Sequence, residues 1–201
     1  DPETSGDDAL PVRDEESGGS YADFGTAGHA VLEQLALSGW RGDIAALSRA
    51  SGTENGLSEQ NISDLQSRIE RTVSFMAETL TGTADLRVEW PFAMRLEEGE
   101  TILIVDGTMD LMVQARDGSR HIMDYKFSDE ADAVLIRKYG LQLNLYRLAL
   151  AHLPESAKPG IRSSLVVVGR DGVRTVDIPH DPACLSATIK AAKELDAIFK
   201  P

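Results

Sequence analysis

Cysteine is almost absent. The 201-residue chain holds one, Cys184, which excludes an internal disulfide and any site built on several thiolates, zinc or iron–sulfur alike. Such usage suits a reducing cytosol. Aromatic side chains are only 5% of the chain, and Trp40, Trp90 and the tyrosines are too scattered to suggest a base-stacking platform. No apolar run approaches the ~18 residues of a membrane span; the longest, TILIV and SSLVVVG, read as buried strands. There is no secretory signal. The phosphate-loop pattern G-x-x-x-x-G-K-[ST] is also missing, so no ATP site is expected in this chain.

Positive charge is scarce too. Twenty Lys and Arg face 33 Asp and Glu, a formal charge of −13, and phosphate backbones are bound largely by clustered cations. The distribution weakens that objection. Within residues 1–20, seven acids face Arg13, so −6 of the −13 lies in a Gly/Ser/Pro-containing stretch without hydrophobic periodicity. This segment is expected to be an acidic flexible linker or tail, with one domain over residues 21–201. The chain begins Asp-Pro rather than with Met, as expected of a piece excised from a longer polypeptide.

From Phe24, FGTAGHAVLEQLALSGW carries an amphipathic helical pattern ending near Gly39, and SEQNISDLQSRIERTVSFMAETL continues with Ile62, Leu65, Ile69, Val73, Met76 and Leu80 at spacings of three and four. Three strand-like runs follow: Leu86 to Leu96, Thr101 to Ala115 and Ser119 to Phe127. A helix in RKYGLQLNLYRLALAHL, strands in SSLVVVG and VRTVDIP, and a last helix from about Pro182 to Phe199 complete the order. That order predicts an α/β fold in which a central mixed sheet, with an antiparallel three-strand meander, is flanked by helices.

Inside the third strand, IMDYKFS sets Asp124 and Lys126 on one face, because residues two apart on a pleated strand point the same way. The preceding RDG sets the register. If Arg116, Asp117 and Gly118 form a three-residue turn with Gly118 left-handed, Ala115 pairs with Ser119 and Asp110 lies across from Asp124. A two-residue turn would send Asp110 to the opposite face. Opposed carboxylates are costly on a sheet unless something compensates. A divalent cation would, and two Asp side chains with a main-chain carbonyl suit Mg²⁺ or Mn²⁺. The chemistry implied is phosphodiester hydrolysis, with a lysine at hand to assist.

With GTAGHAVLE, VEWPF, GTMDLMV, MDYKF and YGLQLNLYRLAL in this order, the chain from Phe24 to Leu150 resembles the PD-(D/E)xK nucleases, in particular the RecB/AddA-type C-terminal nuclease domain of bacterial helicase-nucleases. The resemblance implies a restriction-endonuclease-like core and a Mg²⁺- or Mn²⁺-dependent deoxyribonuclease, exonuclease ahead of endonuclease. It would process DNA ends or single strands in recombinational repair, in the bacterial cytoplasm and alongside a fused or partner helicase. It assigns Asp110 and Asp124 as metal-binding acids, the main-chain carbonyl of Tyr125 as a further ligand, and His29 as the histidine completing the metal shell. Lys126 matches the catalytic lysine, Glu89 the first-strand acid and further possible ligand, and Gln142 with Tyr146 the pair that supports the site or contacts DNA. The flanking cysteines of the iron–sulfur branch are absent, so no cluster is expected. Phe127 and Ser128 stand where threonine commonly follows the lysine.

Blander readings exist for each residue. Asp110, Asp124 and Lys126 could be a solvated strand face; Glu89 needs no explanation if it faces solvent; Gln142 and Tyr146 could share a structural hydrogen bond. Glu33, one turn after His29, could contact metal but reads first as an i,i+4 partner, and Asp106 reads as turn chemistry before Gly107. His121, His152 and His180 read as structural. Arg137, Lys138 and Arg147 could flank a DNA strand or simply solubilise the surface. The rival functions are a catalytically silent nuclease-fold module that docks DNA ends or proteins, and a standalone CRISPR- or phage-type nuclease.

Overall fold

The computed structural model describes residues 21–98, 101–152, 160–184, 186 and 188–190. Helix α1 (Tyr21–Leu37) buries Ala27, Val31, Leu32, Leu35 and Ala36, the stripe its sequence spaces three and four apart. Helix α3 (Glu59–Thr79) opens on Ser58, whose hydroxyl accepts a 3.2 Å bond from the Asn61 N–H. Between them lies α2 (Ile44–Glu54), capped by Asp43, which the sequence pattern does not announce. Its fully buried positions are the small Ser48 and Gly52, and only Ile44 and Leu47 add apolar side chains to the core, too few to mark a helical period. Gly52 is needed there, since a Cβ would lie 2.5 Å from Ile62 Cγ1.

Five strands form one sheet in the order β1-β2-β3-β4-β5: β1 (Thr83–Glu98), β2 (Thr101–Ala115), β3 (Arg120–Lys126), β4 (Ile161–Val168) and β5 (Val173–Asp177). The first three pair antiparallel, as the meander reading expects. Helix α4 (Asp132–Ala151) carries the chain from β3 to β4, which pair parallel, and β5 returns antiparallel. The turn before β3 takes the anticipated form. Gly118 has φ +84°, the Ala115 N–H donates to Ser119 O at 2.9 Å, and Leu111 pairs with Met123.

Several boundaries differ from expectation. Strand β1 is longer at both ends, and α4 begins at Asp132 rather than Arg137, where an acid suits a helix N-terminus. Asp106 is not in a turn but paired with Ala93 in the ladder. Of the helix expected over 182–199, Cys184, Ser186 and Thr188–Lys190 are helical, while residues 185, 187 and 191–201 lie outside the described residues, as does the whole of 1–20.

Alternation on the central strands divides the interior into two layers. Met123, Tyr125 and Val166 pack against α1 and α3; Ile122, Leu165 and Val167 pack against α4. The β1–β2 hairpin changes sides along its length. Leu86, Val88, Leu111 and Val113 belong to the α1/α3 layer, whereas Trp90, Phe92, Met94 and Met109 belong to the α4 layer. The exchange falls at Glu89 and Asp110.

Candidate active site

Where the hairpin changes sides, both of its ladders are interrupted. Pairing of β1 with β2 passes from Val88↔Leu111 to Trp90↔Met109 and omits Glu89 and Asp110, and Glu89 takes a left-handed φ of +46°. A non-glycine residue there costs on the order of 1–3 kcal/mol. On the other edge, the β2–β3 ladder stops at Leu111↔Met123. Hydrogen-bonded pairs recur at every second residue, so the next due is Tyr125 with Met109. The Tyr125 N–H instead donates to Asp110 Oδ2 at 2.8 Å. A carboxylate has taken the place of a strand carbonyl, and β2 and β3 part at this point. The register places Asp110 as expected, but the ladder ends one pair short of an Asp110–Asp124 partnership.

Helix α1 brings His29 to this gap, with Nδ1 3.3 Å from Asp110 Oδ2. Its close approach depends on Gly28, where a Cβ would stand 2.1 Å from the Phe127 ring. Phe127 in turn meets Phe24 edge-on, with centroids 5.8 Å apart. From the other layer, Asp124 and Lys126 form a close ion pair between Oδ2 and Nζ. The Lys126 ammonium also lies 4.8 Å from the centroid of Tyr139. Further along α4, Gln142 Nε2 donates to Tyr146 Oη at 2.6 Å, and Phe92 meets the Tyr146 ring edge-on at 5.4 Å. Gly107 admits that packing, since a Cβ would lie 3.1 Å from the Phe92 ring.

The electrostatics tie these groups together. Asp124 is 1% exposed, and burial, then Asp110, raises its pKa to about 6 against the pull of Lys126. Glu89 is raised to about 7, by burial first and then by Asp110, Glu33 and Asp124. Glu33, on α1, thus adds its negative charge to the field at Glu89. Burial lowers His29, helped by Lys126 and opposed by Asp110 and the Tyr125 main chain. For Lys126, burial pulls down, but Asp124, by charge and hydrogen bond, and then Asp110 and Tyr139 hold the pKa above its ordinary value. Tyr146 is raised by burial and, despite its bond from Gln142, by Asp124 and Asp110.

Among the described residues, the carboxylates of Glu33, Glu89, Asp110 and Asp124 thus act on one another beside the close Lys126, and a hard cation would offset their repulsion. The donors suit one: oxygens of Asp110 and Asp124, the Tyr125 carbonyl and one imidazole. Asp124 Oδ2 is buried against the Lys126 ammonium. Among the described residues, no three His, Cys, Asp or Glu side chains already converge at ligating distance.

Two positions escape a reading of the sequence alone. Tyr139 precedes Gln142 by three residues and Tyr146 by seven, so helical spacing could have placed it on the same face. The Gly28–Phe127 contact joins segments about 100 residues apart and left no local signal. Of the basic residues, Arg137 and Lys138 are exposed, Lys138 pairing with Glu130. Arg147 is buried on another face of α4, so it does not flank a strand at this site.

The family model described as the PD-(D/E)XK nuclease superfamily matches residues 7–200. An ATP-dependent helicase/nuclease subunit of Desulfitobacterium hafniense (strain DSM 10664 / DCB-2) is 29% identical over 156 residues, covering 66% of this chain and 11% of that protein. Its namesake from Bacillus cereus (strain AH187) is 28% identical over 163 residues, 68% of this chain and 13% of that protein. The chain therefore spans about an eighth of these relatives' length. The crystal structure of SSO0001 superposes with a TM-score of 0.46 at 13% identity, over 94% of this chain and 80% of that one.

Proposed function

The chain belongs to the PD-(D/E)XK nuclease superfamily, and from that premise we propose that it is a metal-dependent deoxyribonuclease domain acting in DNA end processing, fed with single strands or ends by a fused or partner helicase. The observation that supports this reading best is the parting of β2 from β3, which gathers Asp110, Asp124, Lys126 and His29 from two layers into one gap.

A Mg²⁺ or Mn²⁺ ion would be held by Asp110, Asp124, His29 and the Tyr125 carbonyl, with Glu89 as a further possible ligand, and would supply Lewis acidity and neutralise phosphate charge. The protein groups divide the remaining work. Lys126, kept protonated by Asp124, donates a hydrogen bond and positive charge to the scissile phosphate and steadies the charge that grows on its oxygens during attack. His29, its proton affinity reduced by burial, presents a neutral imidazole. Asp110, tied to the Tyr125 N–H, keeps that peptide oriented. Gln142 and Tyr146 wall the site from α4 and offer amide and phenol groups to a strand. Helicase delivery is supported by the relatives, in which the matching stretch is a small part of a helicase/nuclease polypeptide.

The test is cleavage of end-labelled single- and double-stranded DNA with Mg²⁺ or Mn²⁺, against an EDTA control and the variants Asp124→Ala and Lys126→Ala. Cation-dependent cutting lost in both variants is expected, and the product ladder assigns exonuclease or endonuclease action. No cutting, together with no Mn²⁺ binding by calorimetry, would leave the silent docking module as the better reading.

A further inference from the structure

The Lys126 ammonium is held from two elements at once. On its own strand, β3, the Asp124 carboxylate takes it in an ion pair, and from α4 the ring of Tyr139 presents its centroid 4.8 Å from Nζ. A lysine is a point charge on a flexible four-carbon stem, and a single partner leaves it free to swing about that one contact. A second partner on another element removes this freedom. The Lys126 side chain is 17% exposed and that of Asp124 2%, so the ring acts on a cation largely withdrawn from water, where a π face attracts it most.

The helix sets Tyr139 in place for this contact. It precedes Gln142 by three residues and Tyr146 by seven, one face of α4, and it packs half-buried against the core of that layer. A ring also suits the position better than an acid would. Burial and mutual repulsion already raise Asp124 to about 6 and Glu89 to about 7. Another carboxylate beside Lys126 would add to that repulsion, compete for the ammonium's N–H groups and oppose an incoming phosphate. The negative face of an aromatic ring attracts the cation while carrying no net charge. An ammonium has three donors. With one turned to Asp124 and one to the ring, the third is left for a phosphate oxygen.

We propose that Tyr139 is a positioning residue for strand cleavage, its ring face fixing the Lys126 ammonium in the attitude from which it donates to the scissile phosphate. The inference rests on the nuclease reading given above and adds to it that the π electrons of residue 139, rather than its hydroxyl or its bulk, do the holding.

Single-turnover cleavage of a labelled DNA strand with Mn²⁺ tests this across the parent, Tyr139→Phe, Tyr139→Leu and a series in which Tyr139 is replaced by phenylalanine bearing one, two or three ring fluorines. Tyr139→Phe should cleave within about threefold of the parent, Tyr139→Leu about tenfold or more slower, and each added fluorine, which drains the ring face while keeping its shape, should slow the reaction further. In a Lys126→Met background, Tyr139→Leu should cost no more than about twofold, because the ring acts through the lysine. A second readout needs neither DNA nor cation: in protein carrying ¹³C at the lysine ε-carbons, the Lys126 signal, assigned by its loss in Lys126→Met, should be displaced by the ring in the parent and in Tyr139→Phe and should return to the ordinary lysine position in Tyr139→Leu. Should the leucine variant fold poorly, the fluorinated rings, which keep the packing, still decide. Rates indifferent to fluorination, or a full loss from Tyr139→Leu in the Lys126→Met background, would overturn the inference. A parent that does not cleave, or a Lys126→Met variant as fast as the parent, would overturn the nuclease reading beneath it, and the spectra tell the two failures apart, because the ring would then still displace the Lys126 signal.

Discussion

Lys126 is the residue whose chemistry is most constrained by its surroundings. Its ammonium lies between the Tyr139 ring and the Asp124 carboxylate, and a methionine of similar length would remove that charge while filling much of the same space. Lys126→Met is therefore expected to fold, to bind Mn²⁺ within a few-fold of the parent by calorimetry, and to lose about 100-fold or more in single-turnover cleavage rate. A rate unchanged by the substitution would remove Lys126 from the chemistry. Glu89 gives a second test at this scale. Its left-handed backbone is costly for any side chain but glycine, and its carboxylate is crowded by Asp110 and Glu33. Glu89→Gln relieves the crowding alone; Glu89→Gly relieves the backbone as well. The glycine variant should exceed the glutamine variant by about 1 kcal/mol in urea unfolding, while both cleave more slowly. Equal midpoints would mean that the backbone at Glu89 stores nothing.

Among the elements, the docking of α1 on the end of β3 decides whether His29 reaches Asp110. Gly28 makes it possible by lying against the Phe127 ring, which is itself held by Phe24 and by His29 at 6.1 Å between centroids. Gly28→Ala should push the helix away, lower stability by about 1–3 kcal/mol and slow cleavage. Phe127→Leu makes room, so the double variant should recover most of both losses, a coupling that a double-mutant cycle in urea would read directly. Additive losses would show that the contact is not what seats α1. The same contact rationalises an aromatic residue after Lys126, where the resemblance leads one to expect threonine. Helices reveal themselves unequally at this level. Alternating three- and four-residue spacings made α1 and α3 legible, whereas α2 packs through Ile44 and Leu47 in its first turn and then through the small Ser48 and Gly52, too short an apolar period to read.

Across the whole molecule, what could be read from sequence was whatever local rules govern, and what could not was set by distant packing. The RDG turn fixed the β2–β3 register because a left-handed glycine admits few alternatives, and Asp110 and Asp124 followed from it. The exchange of layers at Glu89 depends on α4 and α1 competing for the two faces of one hairpin, which no window of sequence contains. His121 is another such case. Its composition marks it as a bland structural histidine, yet the fold seats it in the sheet against Ser164 Oγ at 2.7 Å, with Arg162 and Arg147 adding positive potential and Asp177 opposing them. Burial first, then those arginines, lower its pKa to about 4 from 6.5. The folded chain thus holds His121 neutral where the unfolded chain takes up a proton. Its contribution to stability is present above about pH 6.5, drains away as the pH falls towards about 4, and changes no further below that, when both states are protonated. The shift corresponds to no more than about 3 kcal/mol. Replacing His121 by Gln keeps a polar partner for Ser164 and removes the titration. Urea unfolding at pH 7 and pH 4.5 should therefore show the parent losing more stability than His121→Gln over that interval. Equal losses would mean that His121 is protonated as readily in the folded chain as in the unfolded one, and that the sheet around Ser164 opens to water.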